Sequence, residues 1–559
     1  MISSKEEDWF ERHADPAAVF IVLLGFLARL WAASGIFLNP DEALHFRLAN
    51  QPSMALAYRQ SLTGLHPPFF ILLLHFWRAL GTSELWLRLP SVIAGTVFCW
   101  LFFKWLTLVA GRLAGFLGVM LLALLPPPIM LSAEVRQYAL LLAFLAATLY
   151  FLERAFAENS AALMFASALF LCLALLTHYS AFLFAGALGV YGLLKIFAHP
   201  SFRPRANVIA SWIVGQSGGL AVCLFLYKTH LSRHDFGDSQ ILQGWMNYLG
   251  RSSYFQPGRD NPFLFAVGHS FGVFQYIFGQ LAVGIAMGLA FLAGLGIILR
   301  GQLLAEEAAL SWRLAVLLTL PFALACAASF AHVYPYGGTR HVAFLIVPGM
   351  AGVSVALAGL ATVGVREVVS TGSRSKGSSG AANPIWFRGI AIAAVILVAC
   401  IAFGKARQPK MDRTDQSRAH MAAAIEFVQS KIVPSDLIFT DYETDLVIGH
   451  YLCHQQPISF EPAPANFEQF SCGGHRVVSR DFKGWMFSAD NFTQEWQRFV
   501  QAYHLKPGDT VWIFQAGWDA DLAERLQSQP QFHDLHFEAF GKNIKIFPMT
   551  VAQSPNSNR

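Results

Sequence analysis

Side chains that can perform acid–base chemistry crowd into a short segment after the first long apolar stretch. The segment Phe37–Pro68 carries the following ionisable residues: Asp41, Glu42, His45, Arg47, Arg59 and His66. Such groups are costly to keep beside a membrane helix, so a functional site is the default hypothesis. A carboxylate there can act as general base on a hydroxyl or bind a divalent cation. The run Asn39–Glu42 is also typical of a helix start, and the two roles are compatible.

Two histidines of this segment are further candidates for ligand binding. His45 follows Asp41 by one helical turn, so the two side chains can share a ligand. His66 precedes Pro67 and Pro68, which fix the backbone and restrict His66 to an extended conformation. A rigid histidine at the head of an apolar helix can bind a phosphate, and an ordinary interfacial histidine is the alternative.

A second group of candidates lies in the short turn after three consecutive prolines. This turn contains Glu134, Arg136 and Tyr138. Glu134 offers another carboxylate for a cation or substrate, and the planar guanidinium of Arg136 suits a phosphate. A simple pair between Glu134 and Arg136 is the alternative.

Two further turns contain polar residues. One has His178 and Tyr179, and the other has Tyr334, Arg340 and His341. Gly337-Gly338 in the second turn allows the backbone to bend tightly. Arg340 is either a cation that reaches towards the interface from a membrane span or a ligand for an anionic lipid phosphate; we favour the phosphate.

The composition is that of an integral membrane protein. Of 559 residues, 55% are hydrophobic and only 13% charged, with a mean hydropathy of +0.45. Soluble domains carry about 25% charged residues. The net charge of +5 is less informative than the distribution of Lys and Arg among the loops.

Eleven segments are apolar and close to the length of about 20 residues that crosses the hydrocarbon. They are 17–37, 88–109, 112–131, 136–153, 161–177, 180–197, 206–228, 273–299, 313–331, 341–363 and 388–404. Pro67–Leu80 is apolar but shorter, which is typical of an interfacial or re-entrant helix. Arg29 lies inside the first span, where a cation needs a partner or a lipid phosphate.

The loop charges predict how these spans are oriented. If Pro67–Leu80 does not cross, the basic loops fall on the side of the N-terminus, which is therefore predicted to be cytoplasmic. The same topology gathers the candidate residues at the outer face: Asp41, His66, Glu134, Arg136, His178, Arg340 and His341.

The sequence predicts a membrane domain at residues 1–404 and a soluble, extracytoplasmic α/β domain at residues 405–559. In the second domain, SDLIFTD and DTVWIFQAG are predicted strands, and His420–Lys431 and Asp519–Gln527 are predicted amphipathic helices. Cys453 and Cys472 are the only cysteines of this domain, and an extracytoplasmic location allows them to form a disulfide.

The order and spacing of these motifs resemble the GT-C membrane glycosyltransferases. The matching elements are Asp41-Glu42, His66-Pro67-Pro68, residues 84–91, Glu-x-Arg-x-Tyr at 134–138 and Thr177-His178-Tyr179. The subgroup that they resemble is the family 39/83 type, which includes protein mannosyltransferase-like, aminoarabinose transferase-like and Rhizobium lipopolysaccharide glycosyltransferase-like enzymes. The resemblance covers residues 17–200 well and 310–363 more loosely. It implies a polytopic α-helical fold with about 11 transmembrane helices plus interfacial helices.

The resemblance also implies an activity and roles for individual residues. A polyprenyl-phosphate-linked sugar passes to a lipid, glycan or protein acceptor at the extracytoplasmic face of the bacterial inner membrane. Asp41, Glu42 and Glu134 are the candidate catalytic residues. The candidate ligands of the donor phosphate are His66, Arg136, Tyr138, Arg340 and His341. Further site candidates are His45, His178, Tyr179 and Tyr334.

The implied chemistry is an inverting displacement at the anomeric carbon. Asp41 takes the proton of the acceptor hydroxyl, while His66, Arg136 and Arg340 neutralise the departing phosphate. Some relatives use a divalent metal and others do not. For Mg²⁺, Mn²⁺ or Zn²⁺ the candidate ligands are Asp41, Glu134 and His45.

Two other functions deserve comparison. A multi-span secondary transporter tends to have duplicated halves with matching broken spans, and the sequence has no such repeat. A lipid-carrier glycan ligase or polymerase is the alternative within the enzymes. Membrane lipids are expected partners. The soluble domain has no GxGxxG, Walker A or CxxC motif, and no nucleic-acid partner is expected.

Overall fold

The computed structural model describes residues 4–197, 204–233, 249, 253–301, 312–371, 385–403, 415–518 and 520–552. These divide into two compact units, each described by itself. The membrane unit comprises Met1–Ala32, Leu62–Phe70 and Arg88–Arg407. The C-terminal unit comprises Ala33–Ser61, Ile71–Leu87 and Gln408–Arg559. The predicted domain boundary after residue 404 lies outside the described residues.

The helices are, in chain order, α1 Ser4–Ala33, α2 Pro40–Ala49, α3 Met54–Ser61, α4 Phe69–Trp77, α5 Glu84–Ala110, α6 Arg112–Leu124, α7 Pro126–Ser132, α8 Tyr138–Ala157, α9 Ala161–Thr177, α10 Ala181–Phe197, α11 Ala206–Thr229, α12 Pro262–Phe278, α13 Leu281–Leu299, α14 Trp312–Phe330, α15 Ile346–Thr371, α16 Ile385–Phe403, α17 Arg418–Lys431, α18 Tyr442–Leu452, α19 Phe492–Ala502 and α20 Leu522–Gln527. The strands are β1 Leu437–Thr440, β2 Phe460–Glu461, β3 Phe467–Cys472, β4 His475–Arg480, β5 Thr510–Ala516, β6 Glu538–Ala539 and β7 Ile544–Thr550.

The membrane unit is a multi-span helical bundle. In the described part of the chain, eight helices are long and apolar enough to cross a membrane, or nine if the bent pair α6–α7 is one span. The predicted spans 161–177 and 388–404 correspond to shorter apolar helices, Ala161–Thr177 and Trp386–Ile401. The interfacial segment predicted at Pro67–Leu80 is also a short apolar helix, Phe69–Leu80.

The predicted single span 273–299 is wrong, because the chain forms a helical hairpin there. Gly279 ends α12 in a left-handed conformation (φ +73°), and the Gln280 side chain then accepts the Val283 N–H to start α13. Gly284 and Gly288 let the two helices approach closely: a Cβ at Gly284 would lie 2.5 Å from the Cα of Gln275. The apolar run alone could not show this reversal, since both arms are hydrophobic.

Arg29 is explained by the break between α6 and α7. Its guanidinium donates hydrogen bonds to the carbonyl oxygens of Leu122 and Ala123, both at 3.0 Å. In a continuous helix these oxygens would accept from residues 126 and 127, but both are prolines without an N–H. The buried arginine therefore replaces the missing donors, and its partner is the protein backbone.

We expect Arg29→Met to destabilise the membrane unit by about 2–4 kcal/mol, because buried carbonyls lose a charged donor. The midpoint of thermal unfolding in detergent measures the loss. Arg112→Met is the matched control: it removes a half-exposed pair with Glu11 (3.1 Å), which should contribute at most about 1 kcal/mol. Equal shifts in the two variants would contradict the proposed role of Arg29.

The soluble part of the C-terminal unit is an α/β domain, as predicted. Its seven-stranded sheet has the order β2-β3-β4-β1-β5-β7-β6. The central strand β1 pairs in parallel with β4 and β5, and the other pairs are antiparallel. The predicted strands SDLIFTD and DTVWIFQAG are β1 and β5, and the predicted helices correspond to α17 and α20.

Cys453 and Cys472 form the disulfide that their positions allowed. Cys453 caps the C-terminus of α18 and Cys472 ends β3, with 5.0 Å between their Cα atoms. The bond closes a loop of 19 residues and fastens α18 to the edge half of the sheet. The cysteines of the apolar helices, Cys99, Cys172, Cys223, Cys326 and Cys400, are free thiols.

Glu468 on β3 predicts a pH-dependent stability of this sheet. Burial, reinforced by the carboxylates of Asp445 and Asp481 and opposed by Arg47, raises the pKa of Glu468 from 4.5 to about 7. Because the folded-state pKa is the higher one, Glu468 stabilises the fold fully below pH 4.5, and this contribution is lost as the pH rises through about 7. We therefore expect hydrogen exchange in β3 and β4 to accelerate over that range, beyond its intrinsic pH dependence.

Glu468→Gln should weaken this pH dependence, because the amide stays neutral. Glu538→Gln, which changes an exposed carboxylate of the same sheet, is the control and should leave the dependence as in the wild type. An identical pH dependence in the wild type and Glu468→Gln would refute the assignment.

Candidate active site

In the membrane unit, the structure gathers several predicted residues where helices begin or end. Arg136 and Tyr138 lie at the start of α8, and His178 lies between α9 and α10. The His178 ring lies 5.2 Å from that of Tyr138 and stacks on that of His66 at 5.3 Å. Three predicted segments that are distant in sequence therefore meet at His178.

Arg136 is buried within this group. Its guanidinium lies 5.5 Å from the centre of the Tyr138 ring and donates a long hydrogen bond of 3.4 Å to the Tyr138 hydroxyl. The turn that carries it is fixed through the backbone: its N–H donates to the Glu134 carbonyl at 2.8 Å, and its carbonyl accepts from Ser91 at 2.9 Å. These contacts hold a cation in a region with little water.

His178 is a neutral donor in this setting. The Ser180 backbone N–H donates to its Nδ1 at 3.2 Å, so the proton of the neutral ring is on Nε2. Burial, together with the nearby Arg136 guanidinium, lowers the pKa of His178 to about 3. The ring therefore stays uncharged at physiological pH and can donate a hydrogen bond from Nε2 without adding charge.

Tyr276 links Arg340 to the group around Arg136 and Tyr138. Its phenol lies within electrostatic range of Tyr138, Arg340, Glu134 and Arg136. Tyr276 was not predicted from the sequence, because it is a single phenol in an apolar run on α12. Only the hairpin of α12 and α13, which was not predicted, could have pointed to it.

The turn before Arg340 also contacts this region. The Tyr334 hydroxyl donates to the His341 carbonyl at 2.8 Å, and Tyr334 lies near the Ser180 side chain. Gly337 has a φ of +127°, and a Cβ there would lie 2.8 Å from the His269 ring, so the tight turn predicted for Gly337-Gly338 is confirmed. In this turn, His341 therefore contributes its backbone carbonyl as a hydrogen-bond acceptor.

Gln137 is a second residue that the sequence analysis missed. Its side chain is only 1% exposed, and within the described residues neither amide atom has a hydrogen-bond partner. Burying an amide without partners is costly and calls for an explanation such as a ligand. Its neighbours Arg136 and Tyr138 are themselves candidates, so Gln137 joins them as a candidate ligand contact.

Tyr179, the neighbour of His178 in the chain, has a different set of contacts. Its hydroxyl forms a hydrogen bond with His230, and its ring packs against Phe182. Burial raises the pKa of Tyr179 well above its ordinary value. These contacts hold the Tyr179 side chain in place, and its role in the site stays a prediction.

In the C-terminal unit, Asp41 and Glu42 begin α2, as the sequence predicted. Asn39 and Glu42 form a reciprocal capping box in which each backbone N–H donates to the other's side chain at 3.0 Å. His45 Nδ1 hydrogen-bonds the Asp41 carbonyl at 2.7 Å, which requires a proton on Nδ1 and leaves Nε2 as the acceptor of a neutral ring. The Glu42 carboxylate thus has a structural task, and Asp41 is the better candidate base.

The predicted metal ligands come from both units of the chain. Among the residues that the structure describes, no group of three or more His, Cys, Asp or Glu side chains is arranged to hold a metal ion. The predicted set of Asp41, Glu134 and His45 spans both units, so it stays a prediction. Asp41 belongs to the C-terminal unit and Glu134 to the membrane unit, so their predicted proximity stays a prediction.

Comparisons with known proteins agree with the fold. Residues 65–216 match the family described as dolichyl-phosphate-mannose-protein mannosyltransferase. No curated protein matches the sequence significantly. ArnT from Cupriavidus metallidurans, in a structure bound to undecaprenyl phosphate, aligns with a TM-score of 0.51 at 12% identity over 95% of this chain and 97% of that one. Its apo structure gives 0.51 at 12% identity over 96% and 98%.

The archaeal oligosaccharyltransferase AglB from Archaeoglobus fulgidus is a more distant match. In complex with an inhibitory peptide and a dolichol-phosphate, it aligns with a TM-score of 0.47 at 10% identity over 90% of this chain and 70% of that one. The chain is thus a multi-span membrane protein with the GT-C glycosyltransferase fold, as its motifs predicted. Within that class, its segment 65–216 carries the mannosyltransferase-type family match.

Proposed function

We propose that this protein transfers a sugar from a polyprenyl-phosphate-linked donor to a lipid, glycan or protein acceptor. The observation that carries the proposal is the buried Arg136, which has the neutral donor His178 and the phenol of Tyr138 beside it. A buried cation with neutral hydrogen-bond donors suits an oxyanion whose charge grows during the reaction. Support comes from the GT-C fold and from the undecaprenyl phosphate bound to ArnT.

The residues of this chain divide the work of one displacement. The acceptor hydroxyl attacks the anomeric carbon and gives its proton to Asp41, while the bond from that carbon to the phosphate oxygen breaks. The configuration inverts, and the polyprenyl phosphate leaves with the bonding electrons. Arg136, Arg340 and His66 balance its charge, and the amide of Gln137 contacts the bound donor.

The proposed location is the outer leaflet of a bacterial inner membrane, with the C-terminal domain outside. The basic loops support this orientation. The disulfide between Cys453 and Cys472 supports it independently, since such bonds persist in oxidising compartments. The location also suits the donor, whose sugar phosphate must reach water while its isoprenoid chain stays in lipid.

Radiolabelled polyprenyl-phosphate sugars test the proposal directly. Membranes containing the wild-type protein should move label from the polyprenyl carrier to a lipid, glycan or protein fraction, and membranes with Asp41→Asn should not. A transporter would move the donor or sugar without breaking the glycosidic bond. A glycan ligase would transfer whole glycans and leave single sugars untouched. Either of these results would replace the proposed activity.

A further inference from the structure

We infer that the C-terminal unit is a positioning device for the first loop: it fixes α2, and with it Asp41, through the ion pair of Arg47 and Asp445. The inference rests on the proposed function for the role of Asp41. It assigns a task to the soluble domain, whose sequence has no GxGxxG, Walker A or CxxC motif. All the contacts involved lie within the C-terminal unit.

The ion pair is the strongest of these contacts. Arg47, in the last turn of α2, donates to Oδ2 of Asp445 and to its backbone carbonyl, both at 2.8 Å. The Asp445 side chain is fully buried and that of Arg47 is 13% exposed, so water screens the pair only weakly. Because the guanidinium binds two acceptors of one residue, it fixes the direction of α2 as well as its distance from α18.

The entry to α2 is held along its backbone by the same unit. The Phe37 N–H donates to the Gln416 carbonyl at 3.0 Å, and the Gln416 amide donates back to the Phe37 carbonyl at 2.6 Å. The Leu38 N–H donates to the Tyr451 hydroxyl at 2.8 Å, and that hydroxyl donates to Glu84 at 3.1 Å. The residues just before Asp41 are therefore fixed by α18 and by the segment before α17.

The C-terminal end of α2 is held in the same way. Phe46 packs edge-to-face on the His450 ring with 4.9 Å between centroids. The Asn50 amide donates to the Gln455 carbonyl at 3.0 Å. The helix has only 10 residues, and the C-terminal unit contacts it just before its start, along its length and just after its end. So short a helix is marginal by itself in water, so its packing must supply its stability.

The contacts that α2 makes within itself do not set its orientation. The capping box of Asn39 and Glu42 and the bond from His45 to the Asp41 carbonyl are local, and they move with the helix. The disulfide at Cys453 holds the end of α18, the helix that receives α2, against β3. The position of the Asp41 carboxylate in this unit therefore depends on a chain of contacts that ends in the soluble sheet.

Removing the ion pair should lower turnover while donor binding is retained. We expect Arg47→Met and Asp445→Ala to lower kcat on the order of 10²-fold with little change in the donor KM, because a small displacement of a reacting group costs about that much. The double variant should be no worse than Arg47→Met alone, since Arg47→Met already removes both bonds to Asp445. Arg47→Lys should restore part of kcat, because one ammonium can bind one of the two acceptors.

The control breaks a buried ion pair of the same domain that joins β4 to α19 and, among the described residues, is not one of the contacts that hold α2. Arg480 and Glu495 form such a pair at 2.5 Å, with side chains 7% and 11% exposed. Arg480→Met should therefore lower the stability of the domain but leave kcat per folded molecule unchanged. An equal loss of kcat in Arg480→Met would show that the domain acts only through overall stability and would overturn the inference.

Hydrogen exchange of the full chain separates this inference from the proposed activity. Amides of α2 should lose protection in Arg47→Met and Asp445→Ala and keep it in Arg480→Met, whether or not sugar transfer is detected. Gly449→Ala provides a variant with both charges intact, because the added Cβ would lie 2.6 Å from Cδ1 of Ile458 and 3.1 Å from Nη2 of Arg47. Unchanged protection of α2 in all three variants that disturb the pair would overturn the inference even if transfer occurs.

Discussion

Asp41→Asn should abolish most sugar transfer, with kcat reduced by about 10²–10⁴-fold, the range that general-base catalysis supplies. The substitution keeps the size of the side chain and its capacity to accept a hydrogen bond. It removes the basicity that takes the acceptor proton. Single-turnover transfer of labelled sugar measures the chemical step, and binding of labelled polyprenyl phosphate should be nearly unchanged.

Glu42→Gln is the matched control because it makes the same chemical change one residue away. A glutamine can still accept the Asn39 N–H in the capping box, so α2 should remain intact. We expect kcat to fall no more than several-fold. If Glu42→Gln is as inactive as Asp41→Asn, or if Asp41→Asn retains wild-type turnover, Asp41 is not the base.

Arg136→Met should give the second-largest loss, about 10²–10³-fold in kcat/KM. Removing one group that stabilises developing charge in a dry site typically costs that much. Methionine fills a similar volume, so the charge is the main difference. Because Arg136 is assigned to the donor phosphate, binding of polyprenyl phosphate should weaken as well, unlike in Asp41→Asn. Initial rates over a range of donor concentrations would measure both effects.

Two further variants test whether the effect of Arg136→Met is specific to the guanidinium at that position. Arg136→Lys keeps the charge but loses the planar fork, so partial activity is expected. Arg154→Met removes the cation at the other end of α8, which forms a partly exposed pair with Glu158 at 2.6 Å, and should leave transfer unchanged. Activity at the wild-type level in Arg136→Met would exclude Arg136 from the phosphate site.

The pattern of losses distinguishes the two assignments. A base acts after the donor is bound, so Asp41→Asn should affect the chemical step alone. A phosphate ligand contacts both the bound donor and the leaving group, so Arg136→Met should affect binding and chemistry together. Equal effects of the two substitutions on donor affinity would mean that one of the residues has been given the wrong role.

The sequence alone determined the features that depend on local composition. Apolar length predicted the membrane spans, and alternation with flanking turn residues predicted β1 and β5 in a small α/β domain. The Asn39–Glu42 run predicted a helix start, because a capping box needs only four neighbouring residues. The candidates Arg136, Tyr138, His66 and His178 were found because polar residues are rare between apolar segments.

Tertiary structure decided the features that depend on distant partners. Arg47 and Asp445 are 398 residues apart in the chain, and no local pattern of α2 shows that it packs on α18. Arg29 could be paired with the carbonyls left open by prolines 126 and 127 only after α6 was placed beside α1. Tyr276 joined the site only because Gly279 folds an apolar run back on itself. Hydropathy shows which segments are apolar enough to lie in the membrane. Which residues contact each other depends on how the helices pack.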